Sequence, residues 1–226
     1  MKKLYGWTIA LVLLGFVLAG IFLTLAPDQI PVHYNLRGEA DRWGSKYEFL
    51  VMPVCSLLFG ALMSGIARYE GKKGRDLNEK VVGILNIWIL VVFNILWGFF
   101  MWKAADRDDP GSAIGELPVK IVAILLSASL IPVGNLMPKA ARNSAFGLRT
   151  KWSMADDWCW QQSQRIGGYV SVVTGILGVI VSSLCPASWS GYILLALIAA
   201  MTVICCWASY RIYKKRSGEM GHCPQK

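Results

Sequence analysis

Long apolar runs separated by short polar connections organise this chain. Six apolar stretches lie at Leu4 to Ala26, Phe49 to Ala67, Val81 to Trp102, Val119 to Leu136, Gly167 to Cys185 and Gly191 to Tyr210. Each approaches the roughly 20 residues a helix needs to cross the hydrocarbon of a bilayer. Their interiors lack Asp, Glu and His and keep Lys and Arg at the margins, so each can satisfy its backbone as a helix without placing a charge in lipid. The pattern predicts an all-α polytopic membrane protein with six transmembrane helices. The first stretch follows Lys2 and Lys3 and is longer than the 7–15 apolar residues of a secretory signal, which predicts a retained anchor.

Composition agrees with this: of 226 residues 55% are apolar and 16% charged, which excludes a large soluble catalytic domain. The formal charge of +9 would suggest nucleic acid in a soluble protein, but its distribution explains it otherwise. Arg37, Arg42, Lys46, Lys103, Arg107 and Lys120 fall on one side of the predicted spans, and the other seventeen of the 23 basic residues fall on the opposite side. The positive-inside rule then places both termini in the cytoplasm (N-in/C-in), in a multi-pass protein of a bacterial plasma membrane. The basic side lies against anionic lipid, and no direct nucleic-acid binding is expected. Trp7, Trp43, Trp102, Trp152, Trp189 and Trp207 lie near span ends, as interfacial anchors do.

The chemistry of common enzymes and ion-coupled transporters is missing. There is no HExxH, P-loop, GxSxG or CxxC, and no metal-ligand spacing among Cys55, Cys159, Cys185, Cys205, Cys206 and Cys223. No catalytic residue, cofactor or metal is expected. His222 and Cys223 read as part of a disordered tail. Asn86 and Asn94 in the third span suit interhelical hydrogen bonds, and the steps Ser171 to Gly175 and Gly178 to Ser182 give the fifth span a small-residue packing face.

Two connections carry the informative residues. The first, on the outer side, holds Pro31, His33, Tyr34, Asn35, Gly38, Asp41, Arg42, Trp43 and Lys46. Pro31 biases its predecessor to extended backbone and Gly38 allows a turn, so a short extended segment and turn are expected, with Asp41 and Arg42 paired across it. It reads either as a cap holding the first two spans together or as a recognition surface of aromatic, cationic and hydrogen-bonding groups. The second connection, residues 134–166, is cytoplasmic. Ser153 is placed to N-cap a helix with Asp156 and Asp157 near its positive end, which predicts a short interfacial helix lying along the inner surface. Arg149 and Arg165 there suit lipid phosphates or an acidic partner.

In these connections the chain resembles the SdpI family of bacterial membrane proteins. Pro27-Asp28, Pro31, His33, Asn35, Gly38, Asp41-Arg42-Trp43 and Ser45-Lys46 resemble a small domain of unknown function common at the family's N-terminus. Gly134-Asn135, Pro138-Lys139, Asn143, Gly147, Arg149-Thr150, Trp152, Trp160, Arg165 and Gly167 resemble its second signature. Lys151 stands where the family usually has Pro, and Gln164 where it usually has His, so a metal or protonation role for that helix does not carry over.

The resemblance divides the chain into a two-span unit, 1–80, and a four-span unit, 81–226. It implies protection against a secreted peptide toxin of the SdpC type. It also implies reception: toxin outside would draw a small winged-helix autorepressor of the SdpR type to the membrane. Pro31, His33, Asn35, Gly38, Asp41, Arg42, Trp43 and Lys46 would then recognise toxin. Asn135, Pro138, Lys139, Asn143, Gly147, Arg149, Thr150, Trp152, Trp160 and Arg165 would form the inner effector surface. A small-solute permease or housekeeping membrane protein of the same fold is the alternative, and a membrane enzyme using His33 with Asp41 a more distant one.

Overall fold

A computed structural model describes residues 1–35, 40–104, 117–143 and 145–221. Its helices are α1 (Lys2–Leu25), α2 (Val51–Lys72), α3 (Asp76–Ala104), α4 (Leu117–Leu136), α5 (Asp157–Leu184) and α6 (Ala187–Gly221). All six are long and apolar enough to cross a membrane. A hairpin of β1 (Gln29–Tyr34) and β2 (Ala40–Ser45) joins α1 to α2, and short 3-10 turns occupy Lys46–Leu50 and Met137–Lys139.

Local chemistry sets the helix ends. Ala26 and Cys185 are extended, at ψ 146° and 156°. Each precedes a proline, whose ring disfavours helical backbone in the residue before it. α2 ends at Gly74, whose φ of +72° is the left-handed conformation that glycine adopts without a Cβ clash. There the N–H of Arg75 returns to the carbonyl of Glu70 at 3.1 Å, and α3 begins one residue later.

α3 packs chiefly on α1 and α2, and α4, α5 and α6 pack on one another. Polar side chains tie the first group together: Asn86 Nδ2 donates to Thr8 Oγ1, the Gly60 carbonyl and Ser64 Oγ, each at 3.3 Å. Asn94 donates to the carbonyls of Leu11 and Leu90 at 3.3 and 2.8 Å. In the second group close approach replaces hydrogen bonding. A Cβ on Gly134 would lie 2.5 Å from the Gly168 carbonyl oxygen, and one on Gly168 would lie 2.5 Å from that of Gly134. Gly175 and Gly178 likewise abut Ser127. Many large apolar side chains face outward, among them Leu58, Leu62 and Leu195, as lipid-facing surfaces require.

The segment predicted to lie along the surface as a separate helix is instead the first part of α5, which runs unbroken from Asp157 to Leu184. Its N-cap is Asp156, not Ser153. Ser153 is used in the preceding turn, donating to the Leu148 carbonyl at 2.7 Å and accepting from the Thr150 N–H at 2.9 Å. With no proline or strained glycine between 157 and 184, nothing interrupts the helix once it starts.

Candidate functional site

The hairpin sits at one end of the bundle because its first strand is apolar where it meets the helices. Ile30 joins Ala19, Phe22, Ala26, Trp97, Met101 and Ala104 in a buried cluster, and Phe22 stacks on Phe49 with ring centroids 5.0 Å apart. β1 is thus seated on α1 and the end of α3. β2 is largely exposed. The register pairs Gln29 with Ser45, Ile30 with Gly44 and Pro31 with Trp43, then shifts at bulges so that His33 meets Arg42 and Tyr34 meets Ala40.

Those bulges re-aim the polar side chains. His33 Nδ1 lies 2.6 Å from Asp41 Oδ1, Arg42 Nη2 donates to Glu48 Oε2 at 2.9 Å, and Lys46 Nζ donates to Asp28 at 3.0 Å. The expected Asp41–Arg42 pair therefore does not form; each residue has another partner. Glu48 was not anticipated, although Ser45-x-x-Glu48 is a capping-box pattern readable in the sequence. Ser45 accepts from the Tyr47 N–H, and Glu48 Oε1 accepts from the Ser45 N–H at 3.2 Å. The same carboxylate occupies the place of a side chain at 44, since a Cβ there would lie 2.0 Å from Glu48 Oε1. Pro31 is buried, whereas Trp43 is 46% exposed. Gly38 lies outside the described residues.

The connection between α4 and α5 lies at the other end. Asn78 near the start of α3 donates to the carbonyl of Ala141 at 3.3 Å, and Tyr5 of α1 donates to Glu79 at 2.8 Å. Arg216 of α6 meets Asp156 at 3.8 Å. The first turns of α1 and α3, the α4–α5 connection and the last turns of α6 thus share one end. The 29 residues of α3 separate it from the hairpin, about 40 Å at 1.5 Å per residue.

Burial divides the ten effector candidates. Asn143 is internal scaffold: its Nδ2 donates to the Ala141 carbonyl and its Oδ1 accepts from the N–H groups of Ala145 and Phe146 at 2.8 and 2.7 Å. Trp160 is buried and donates to the Ala140 carbonyl at 2.7 Å. Gly147 has φ +107° and lies against the Gln164 amide, which leaves no room for a side chain. Thr150 bonds Ser209 of α6, and Trp152 stands edge-on to Tyr210 at 5.2 Å with Lys151 over its ring. Asn135, Pro138, Lys139, Arg149 and Arg165 are exposed. These five, rather than the buried Asn143 and Trp160 or the half-buried Gly147, Thr150 and Trp152, are placed to meet another molecule.

Glu70 and Asn78 also escaped the sequence reading. Glu70 is buried at the end of α2, where its Oε2 accepts from Asn78 at 2.9 Å and Arg75 at 3.2 Å. The only advance signal is a carboxylate just before the Gly74 turn. Asp156 titrates below the ordinary carboxylate range, chiefly because the Cys159 N–H donates to it at 2.7 Å, with Arg216 also favouring the anion. Among the described residues no group of three or more His, Cys, Asp or Glu side chains could hold a metal ion.

Comparison with known proteins finds the same two regions. Residues 139–209 match the SdpI/YfhL protein family, and residues 10–57 match a domain of unknown function, DUF1648. The chain is 24% identical over 216 residues to the Immunity protein SdpI of Bacillus subtilis (strain 168), covering 93% of this chain and 96% of that relative. No solved structure matches.

Proposed function

Because the chain belongs to the SdpI family of multi-pass bacterial membrane proteins, we propose that it is an immunity protein protecting its cell against a secreted peptide toxin of the SdpC type. The observation that carries this is the end-to-end likeness to an immunity protein, with the two family matches falling on the hairpin and on the α4–α5 connection. In this reading both termini are cytoplasmic, the hairpin faces outward and the protein acts by binding, without catalysis.

A receptor responds only when its ligand binds one conformation better than another, so toxin on the hairpin must bias the arrangement of the inner connection. α3 touches both. Met101 and Ala104 lie in the cluster beneath the hairpin, and Asn78 holds the Ala141 carbonyl at the far end. The exposed Lys139, Arg149 and Arg165 would form the surface that recruits an SdpR-type repressor.

The test is survival of a toxin-sensitive bacterium expressing this chain and challenged with SdpC-type peptide, beside His33→Ala, Trp43→Ala and Arg149→Ala at matched membrane levels. Protection by the parent chain, lost in the two hairpin variants and kept in Arg149→Ala, supports toxin handling at the hairpin and signalling inside. No protection by the parent chain, present at normal level, overturns the immunity reading. Full protection by both hairpin variants overturns the placement at the hairpin.

A further inference from the structure

We propose that the free edge of β2 is a strand-addition site, at which an extended segment of the secreted peptide pairs with the main chain of Trp43. This rests on the immunity reading and adds how the peptide is held.

The hairpin has two edges, and they are not equivalent. The Lys46 N–H donates to the Asp28 carbonyl at 3.1 Å, and the same register pairs Ile30 with Gly44 and Pro31 with Trp43. Antiparallel ladders alternate hydrogen-bonded and non-bonded pairs. With Asp28–Lys46 bonded, Ile30–Gly44 is bonded too, while Gln29–Ser45 and Pro31–Trp43 turn their main-chain groups outward. Two observations agree. The Ser45 N–H leaves the ladder and meets Glu48 Oε1 instead. Pro31, which has no N–H, stands where a cross-strand donor is not needed.

The β1 edge is therefore closed opposite Trp43, because proline removes the donor at 31 and burial covers that residue. On β2, Glu48 occupies the outward N–H of Ser45, but the outward N–H and carbonyl of Trp43 stand beside a half-exposed indole. An unpaired strand edge is a template for another extended chain.

The charges on the hairpin point to the same kind of ligand. Among the described residues Asp28, His33, Asp41, Arg42, Lys46 and Glu48 are matched among themselves in three pairs. A ligand chosen by charge would have to break these pairs, whereas main-chain pairing with aromatic contact leaves them intact. An extended peptide supplies both.

The experiment uses the full chain in lipid nanodiscs and synthetic SdpC-type peptide, unmodified and N-methylated at alternate residues in either of two phases. A strand edge engages every second N–H of its partner. Methylation in one phase should weaken binding at least thirtyfold, and in the other less than threefold. On the protein side, Trp43→Ala removes the indole but keeps the edge donor and should weaken binding at least tenfold. Trp43→Pro removes the donor as well, without touching a bond of the hairpin's own ladder, and should weaken it at least a further tenfold. Equal binding by both methylated peptides, while the unmodified peptide binds, overturns strand addition and leaves the immunity reading standing. Failure of the unmodified peptide to bind the parent chain overturns both. The methylated peptides decide the matter even if Trp43→Pro proves misfolded, because the protein is then unaltered.

Discussion

Gln164 grips Leu148 by both of its main-chain groups: Oε1 accepts from the Leu148 N–H at 2.9 Å and Nε2 donates to the Leu148 carbonyl at 3.0 Å. The side chain is fully buried, so α5 holds the irregular connection as a neighbouring strand would. Gly147 completes the fit, since a Cβ there would meet the same amide at 2.5 Å. Replacing Gln164 with Leu takes away the partner of the Leu148 N–H, while the Leu148 carbonyl keeps the Ser153 hydroxyl, and should cost roughly 1–3 kcal/mol. The expected outcome is a lower thermal midpoint in detergent, and earlier proteolysis within residues 140–156 than in the parent. An unchanged midpoint would mean that the amide clamp contributes nothing.

The α4–α5 contact makes a second expectation. Gly168→Ala drives a methyl against the Gly134 carbonyl and Pro138, both backbone-fixed, and should cost about 1–3 kcal/mol through overpacking. Gly20→Ala in α1 meets nothing within 4 Å and serves as its control, tolerated or slightly stabilising. Folded yield after extraction distinguishes them; equal yields would count against close packing of these helices.

Asp156 gives a pH-dependent expectation. Its carboxyl titrates lower folded than unfolded, so its contribution is complete above the unfolded value of about 4 and fades as pH falls through the depressed folded value. Asp156→Ala should cost about 1 kcal/mol at neutral pH, typical of a lost N-cap, and progressively less in acid. Asp156→Asn keeps an acceptor for the Cys159 N–H and should stay near the parent at neutral pH while losing this acid dependence. Thermal unfolding across a pH series reads both; a constant gap between Asp156→Ala and the parent down to strongly acidic pH would contradict the assignment.

Glu70 and Arg75 separate charge from hydrogen bonding. Arg75→Ala leaves a buried carboxylate with Asn78 as its remaining side-chain donor and should cost on the order of 2 kcal/mol, below a fully buried pair because Arg75 is 39% exposed. Glu70→Gln removes the charge, keeps an acceptor and should cost less. The reverse order in chemical denaturation would show that Arg75 does not serve this carboxylate.

Some of this molecule follows from sequence alone because lipid permits so few solutions. An apolar run that must satisfy its own backbone is most simply helical, and proline disfavours helical backbone in the residue before it, so the six spans and the ends at Ala26 and Cys185 are legible without any tertiary information. The two functional connections are legible too, as dense clusters of polar and aromatic residues between apolar runs.

What those residues do there is a tertiary matter. His33, Asp41, Arg42 and Glu48 have several possible partners by distance along the chain, and only the bulged register of the hairpin decides among them. Asn143, Trp160 and Arg149 look equally polar or aromatic in one signature, yet two are buried scaffold and one is exposed. The prediction of a separate surface helix misplaced the start of α5 because Ser153 and Asp156 are both good caps locally. The choice fell to Asp156 once Ser153 was held by Leu148 and Thr150 within the preceding turn. Periodicity reports which solvent a segment faces; which polar group finds which partner depends on contacts between residues far apart in the chain, and these exist only after the helices have packed.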